Sequence, residues 1–206
     1  MRFSLGDIYS IVSESGLKDP SGFPLRAVMA SIGHAEGAGD PNAFVAHDPP
    51  SDPNAPPSSG LYQVHRGSWP EIFEKTERIR LSLLSDRDKV MGMTELVRPI
   101  IADALHAAAR ANRVLAARGI RVNPLDMALF IDATWQAGAG HLERWARRTT
   151  TGDPREIVNP RRTAAVEVSL RRLASQALGL DGSYGMVLGA LVAFGLAAYI
   201  MSQWKS

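Results

Sequence analysis

The sequence predicts a mainly α-helical protein that ends in a membrane-crossing helix. Apolar residues recur at helical spacing through most of the chain, and no stretch alternates apolar and polar residues as a half-buried strand would. The run from Tyr184 to Met201, YGMVLGALVAFGLAAYIM, carries no charge over about the length that a bilayer core requires.

Residues 1–21 read as a polar leader. The segment MRFSLGDIYSIVSESG breaks its apolar stretch with Asp7 and has neither an h-region nor a small-residue cleavage site, so it is not read as a secretory signal. Pro24 suits a first helical turn, and Leu25, Val28, Met29 and Ile32 mark one amphipathic face in LRAVMASIGHAE, which the following glycines and Pro41 end. The proline-rich AHDPPSDPNAPPSSG has no periodicity and predicts an irregular surface loop.

From Trp69 the pattern turns helical again, in PEIFEKTERIRLSLL and then in TELVRPIIADALHAAARANRVLAAR. Pro99 is expected to kink or start the latter, and Gly119 to close it. Asn123 and Pro124 pair an N-cap with a first-turn proline and open PLDMALFIDATWQAG, which stops at Gly138. Residues 141–148 predict a short helix, TTTGDPREIVNPRR a loop, and TAAVEVSLRRLASQALGL an amphipathic helix leading to the membrane segment. The expected organisation is a leader at 1–21, a helical domain at 22–150, a juxtamembrane linker and amphipathic helix at 151–182, and a transmembrane helix at 183–204.

Composition narrows the function classes. With 206 residues, 45% hydrophobic and 21% charged, the chain can bury one core of ordinary size and leave a little over. A formal charge of +2, without basic residues interleaved with aromatics, speaks against a nucleic-acid partner. The absence of cysteine excludes disulfides and thiolate metal sites. His34, His47 and His65 lie in three separate segments without HExxH-like spacing, so neither a metal site nor a cofactor is expected. Tyr184, Tyr199, Trp204 and Lys205 flank the apolar run as headgroup-level side chains do. Gly185, Gly189, Ala193 and Ala197 line one face of it with small residues, which suits association with a second copy.

One charge sits where the pattern is apolar. At about 100° per residue, with Leu25 as zero, Met29 falls near +40°, Ile32 near −20° and Glu36 near +20°. A carboxylate in that stripe finds a partner or is driven towards its protonated form, which a general acid needs at neutral pH. Glu36 also belongs to the last turn, where it can swing into solvent, and periodicity leaves both outcomes open.

Two later pieces bear on it. Ser58-Ser59-Gly60-Leu61-Tyr62-Gln63-Val64 joins small residues, which permit close backbone approach, to a flat ring and an amide able to donate and accept. Ala133-Thr134-Trp135-Gln136-Ala137-Gly138-Ala139-Gly140 again places an aromatic and an amide before glycines, at the end of a helix.

In this order the three pieces resemble the SLT-type lytic transglycosylases, relatives of goose-type lysozyme, over roughly residues 22–150. That family shows Glu-Ser followed by Gly-Asn-Pro-x-Ala, then Gly-Leu-Met-Gln, then Ala-Tyr-Asn-Ala-Gly-x-Gly. The corresponding residues here are Glu36-Gly37 with Gly39-Asp40-Pro41-Asn42-Ala43, then Gly60-Leu61-Tyr62-Gln63, then Ala133-Thr134-Trp135-Gln136-Ala137-Gly138-Ala139-Gly140. The departures are Gly37 for serine, Tyr62 for methionine, and Trp135-Gln136 for the Tyr-Asn pair.

The resemblance implies a lysozyme-like helical fold and cleavage of the β-1,4 bond between N-acetylmuramic acid and N-acetylglucosamine in peptidoglycan glycan strands. Glu36 would be the single catalytic acid and then the base, giving 1,6-anhydro products. Ser59, Tyr62, Gln63, Trp135 and Gln136 would bind the sugar or position Glu36. Hydrolysis instead would call for a second carboxylate; Asp40, Asp48, Asp52 and Asp132 read mainly as turn residues and a helix-surface charge.

The arginines at 144, 147, 148, 155, 161, 162, 171 and 172 suit anionic lipid near the membrane or a solvated face. By the positive-inside rule they would hold the soluble part in the cytosol, away from peptidoglycan. A murein-cleaving domain with no signal and a C-terminal anchor resembles virion-associated transglycosylases of bacteriophages, delivered from outside at genome entry, with other virion proteins as partners. The alternatives are a non-catalytic structural or peptidoglycan-binding virion membrane protein of the same fold, and a holin-like pore built on the membrane segment.

Overall fold

The computed structural model describes residues 1–19, 24–158 and 160–177. Within them the protein is mainly helical, with one small sheet. Seven α-helices and three two-residue strands follow in the order α1 (Leu5–Glu14), α2 (Leu25–Gly37), β1 (Phe44–Val45), β2 (Ser58–Ser59), β3 (Val64–His65), α3 (Pro70–Leu81), α4 (Asp86–Ala117), α5 (Pro124–Ala137), α6 (Ala139–Ala146) and α7 (Pro160–Ala177). The membrane segment expected at 183–204 lies outside the described residues, and no helix among those described is long and apolar enough to cross a membrane.

The chain divides into two compact units, one of Met1–Leu17 with Met29–Pro99, the other of Lys18–Val28 with the chain from Ile100 onward. Both boundaries inside the chain's central part fall within helices, and the second follows Pro99. That proline neither starts nor ends α4. It is exposed, and the helix continues through it.

In the first unit Leu5–Glu14 of the leader forms a capped helix. Ser4 caps α1 in a closed box: its hydroxyl accepts from the Asp7 N–H at 3.2 Å, and the Asp7 carboxylate accepts from the Ser4 N–H at 3.0 Å. Asp7, which interrupts the apolar pattern, is therefore a first-turn cap residue, and its hydrogen bonds from Ser4 hold its pKa below the usual value. Leu5, Ile8, Ile11 and Val12 form one buried stripe behind it, in a core that also contains Met29, Ile32, Leu61, Tyr62, Val90, Met93 and Val97.

The strands form an antiparallel sheet in the order β1-β2-β3, with Phe44 opposite Ser59 and Ser58 opposite His65. Only two residues long, they offer no alternation to read in sequence. They close the two ends of the proline-rich loop, whose backbone is further tied by Asp48 N–H to the Pro56 carbonyl at 3.1 Å. α3 stops at Leu81, and α4 begins at Asp86, eight residues before the expected Thr94.

In the second unit α5 packs against α6, α7 and the 3₁₀ turn Pro154–Glu156. Every residue from Met127 to Trp135 is buried, so α5 is apolar nearly all round and central to its unit. Asn123 caps it through the Asp126 N–H at 2.9 Å. The rings of Phe130 and Trp145 meet edge to face with centroids 5.5 Å apart. Arg155 joins the loop to α5 and α7 by ion pairs with Asp126, Asp153 and Glu167.

Candidate functional site

The C-terminal half of α2 carries a strip without side chains. Gly33 and Gly37 are one turn apart and face the same way, as residues i and i+4 do. A Cβ on Gly33 would stand 3.1 Å from the side chains of Leu61 and Tyr62, and one on Gly37 would stand 2.5 Å from the Leu61 carbonyl oxygen. The turn Gly60-Leu61-Tyr62-Gln63 therefore lies directly on α2. Glycine at 37 is required by space alone: any side chain there must displace backbone.

The turn is built to make that approach. Gly60, at φ +75°, takes a left-handed conformation, and a Cβ on it would meet Thr76 at 2.7 Å and the Met93 sulfur at 2.8 Å. The Leu61 N–H points at the Met93 sulfur at 3.4 Å, and the Gly60 N–H is bound by the Ala43 carbonyl at 2.8 Å. On the far side of Glu36 the chain leaves α2 through left-handed Ala38 and Gly39, and the Gly39 carbonyl accepts from the Phe3 N–H at 2.8 Å.

Glu36 thus belongs to the last turn of a helix that the Gly60–Gln63 turn meets at Gly33 and Gly37. The residue is half-buried overall, yet both of its carboxyl oxygens are buried. Of the two outcomes that periodicity left open, the inward one is observed.

Three of the expected sugar-binding residues are committed inside this first unit. Tyr62 is 1% exposed, and its hydroxyl lies 3.0 Å from that of Thr94. Thr94 spends its own proton on the Val90 carbonyl at 2.8 Å, so Tyr62 is the donor. Burial raises the Tyr62 pKa above that of a free phenol. Gln63 is 7% exposed, and its Nε2 donates to the Gly60 carbonyl at 2.8 Å, which staples its own turn. Ser59 is fully buried and donates to Glu77, whose carboxylate is paired bidentately with Arg80 and held below its usual pKa by it.

Sequence reasoning passed over Ser58. It is fully buried, donates to the Asp48 carboxylate at 2.5 Å and lies 3.4 Å from Gln63 Oε1. Its position in a Ser-Ser-Gly run next to a long loop was the signal available, but nothing local said which serine would face the loop's carboxylate. The three histidines are not gathered. His47 and His65 each contact a backbone carbonyl, of Ala55 at 3.3 Å and of Asp48 at 3.2 Å. No three metal-ligating side chains converge among the described residues.

The second unit holds the remaining pair. Trp135 is 5% exposed, so its ring is packed rather than presented. Gln136 is half-buried and donates through Nε2 to Asp132 Oδ2 at 2.8 Å. Asp132, read from sequence as a helix-surface charge, is fully buried, because α5 has no solvent face at that height. Burial pushes its carboxyl up to about 6, against a smaller opposing effect of the Gln136 hydrogen bond.

No protein-family model matches the chain, and no curated protein or solved structure matches it.

Proposed function

We propose that the chain is a peptidoglycan lytic transglycosylase of lysozyme-like fold, with Glu36 as its single catalytic acid and base. The observation that carries this reading is the seating of the Gly60–Gln63 turn on Gly33 and Gly37, which brings the Glu36 helix end and the second motif together by backbone contact. Two segments that resemble one family in sequence are thereby neighbours in space. A general acid acting on a glycosidic oxygen must start in its proton-bearing form, and the carboxyl oxygens of Glu36 are buried beside that turn's contact with α2. Glu36 would protonate the leaving oxygen and then take the proton of the muramic 6-hydroxyl as it closes on the anomeric carbon. The acetamido group of the substrate would stabilise the positive charge between the two steps. Gln136 is assigned to glycan binding, Tyr62, Gln63 and Ser59 to packing within the first unit, and Trp135 to packing within the second. A virion setting, with membrane attachment through residues 183–204, completes the proposal.

Digestion of purified sacculi by the full chain in detergent tests it, with products resolved by mass. Anhydro-muropeptides from the wild type, reduced at least about 100-fold in Glu36→Gln, are expected from the loss of general acid catalysis. Equal release by both proteins would remove Glu36 from the reaction.

A second reading keeps the fold without the chemistry, as a peptidoglycan-binding or structural virion component. It is favoured by the burial of Ser59, Tyr62, Gln63 and Trp135, which leaves few of the motif side chains presented to a ligand. Retention of the wild type on sacculi with no soluble product would decide for it.

A further inference from the structure

We propose that Asp132 is a positioning residue that fixes the carboxamide of Gln136 with Nε2 inward and Oε1 outward, so that Gln136 offers an acceptor to the N–H of a 2-acetamido sugar. The inference rests on the glycan-binding reading and adds the polarity of one contact in it.

A carboxylate can only accept, so the amide edge facing Asp132 Oδ2 at 2.8 Å must be the donating one. Both residues belong to α5, four positions apart, where side chains stand one above the other. The other Asp132 oxygen, Oδ1, is buried and takes no hydrogen bond among the described residues. An alanine or leucine in this all-round apolar stretch would cost the fold less than such a carboxylate. The group therefore does something beyond filling space, and its one directed contact is with Gln136. A glutamine without that partner can present either end of its amide. With it, Nε2 is turned inward with one of its two protons committed, the oxygen faces the ligand side, and a ligand donor is favoured over an acceptor. On an N-acetylated sugar the amide N–H is a donor that a plain hexose lacks.

Two measurements on the full chain in detergent test this. The Gln136 side-chain amide protons, assigned by their loss in Gln136→Ala, are expected to exchange with water at least about tenfold more slowly in the wild type than in Asp132→Asn. Binding of tetra-N-acetylchitotetraose is expected to weaken about 3- to 10-fold in Asp132→Asn, the size of one neutral hydrogen bond. Asp132→Asn should weaken binding no further in a Gln136→Ala background, because both changes remove one interaction. Additive losses, or unaltered binding by Asp132→Asn, overturn the inference while wild-type cleavage of sacculi leaves the functional reading standing. Rapidly exchanging amide protons in the wild type overturn the positioning role whatever the glycan does. A wild type that binds neither the tetrasaccharide nor sacculi removes the functional reading, and the acetamido contact with it.

Discussion

Gly37 and Leu61 touch through their backbones with no room for a methyl group between them: a Cβ at 37 would stand 2.5 Å from the Leu61 oxygen and 2.9 Å from its Cα. Gly37→Ala is expected to destabilise the protein by about 1–3 kcal/mol through overpacking, and Gly37→Ser by at least as much. The urea midpoint should fall with little change in slope. Gly140→Ala is the contrast, since the nearest atom to its Cβ is the movable end of Arg144 at 3.4 Å; it should gain a few tenths of a kcal/mol, up to about 1. If Gly37→Ser is as stable as the wild type, the Leu61 turn yields and the space argument fails.

Tyr62 and Thr94 give an asymmetric pair. The Tyr62 hydroxyl donates to Thr94, while Thr94 donates to the Val90 carbonyl, so removing the phenol oxygen leaves the Thr94 donor satisfied. Tyr62→Phe is expected to cost about 0.5–1.5 kcal/mol, whereas Thr94→Val removes both the acceptor of the buried phenol and the bond to the Val90 carbonyl and should cost about 1–3 kcal/mol. Thermal denaturation of the two variants ranks them. The reverse order would place the Tyr62 hydroxyl proton elsewhere. Glycan affinity should be unmoved by Tyr62→Phe, because the ring is sealed in the core.

How far the sequence spoke for itself depended on the range of the interaction. Helices α2, α3 and α5 were legible because apolar spacing, first-turn prolines and the Asn123 cap are local signals. α1 was hidden because Asp7 looks like an interruption of an apolar run, while its actual partner is Ser4, three residues back. The three strands were illegible because pairs of residues show no period. At the site, the inward placement of Glu36 needed Leu61, twenty-five residues further on, to make Gly37 a fixed point. The same holds for Asp132. Its neighbours in sequence mark a helix, but only the packing of α6 and α7 against α5 decides that this helix has no wet side at that height.

The leader offers a direct test of that reading. Ile8 is fully buried in the first unit, as is Val12 one turn further along the same helix. Ile8→Ala should cost about 2–5 kcal/mol, the range for emptying a core aliphatic site. A detachable tail would lose nothing, so a melting temperature equal to the wild type's would return residues 1–17 to the status of an appendage. Ser10→Ala, on the exposed side of the same helix, should lie within about 0.5 kcal/mol of the wild type.

Asp132 makes stability depend on pH in the direction opposite to most carboxylates. Its folded pKa is raised from 3.8 to about 6 by burial. Between those values the folded chain keeps a proton that the unfolded chain releases, so stability falls as pH rises through this window and levels off above about pH 6. The full window is worth about 3 kcal/mol at 1.36 kcal/mol per unit. Asp132→Asn has no such titration. The stability difference between variant and wild type, in which the other carboxylates largely cancel, should therefore move in favour of the variant by up to about 3 kcal/mol from pH 3.5 to pH 7. Urea denaturation at intervals across that range reads the difference. A constant offset between the two proteins would mean that Asp132 titrates as it does in the unfolded chain, and that water reaches it. The gain above pH 6 is expected to coincide with the weaker glycan binding of the same variant, since a single carboxylate destabilises the fold and orients Gln136.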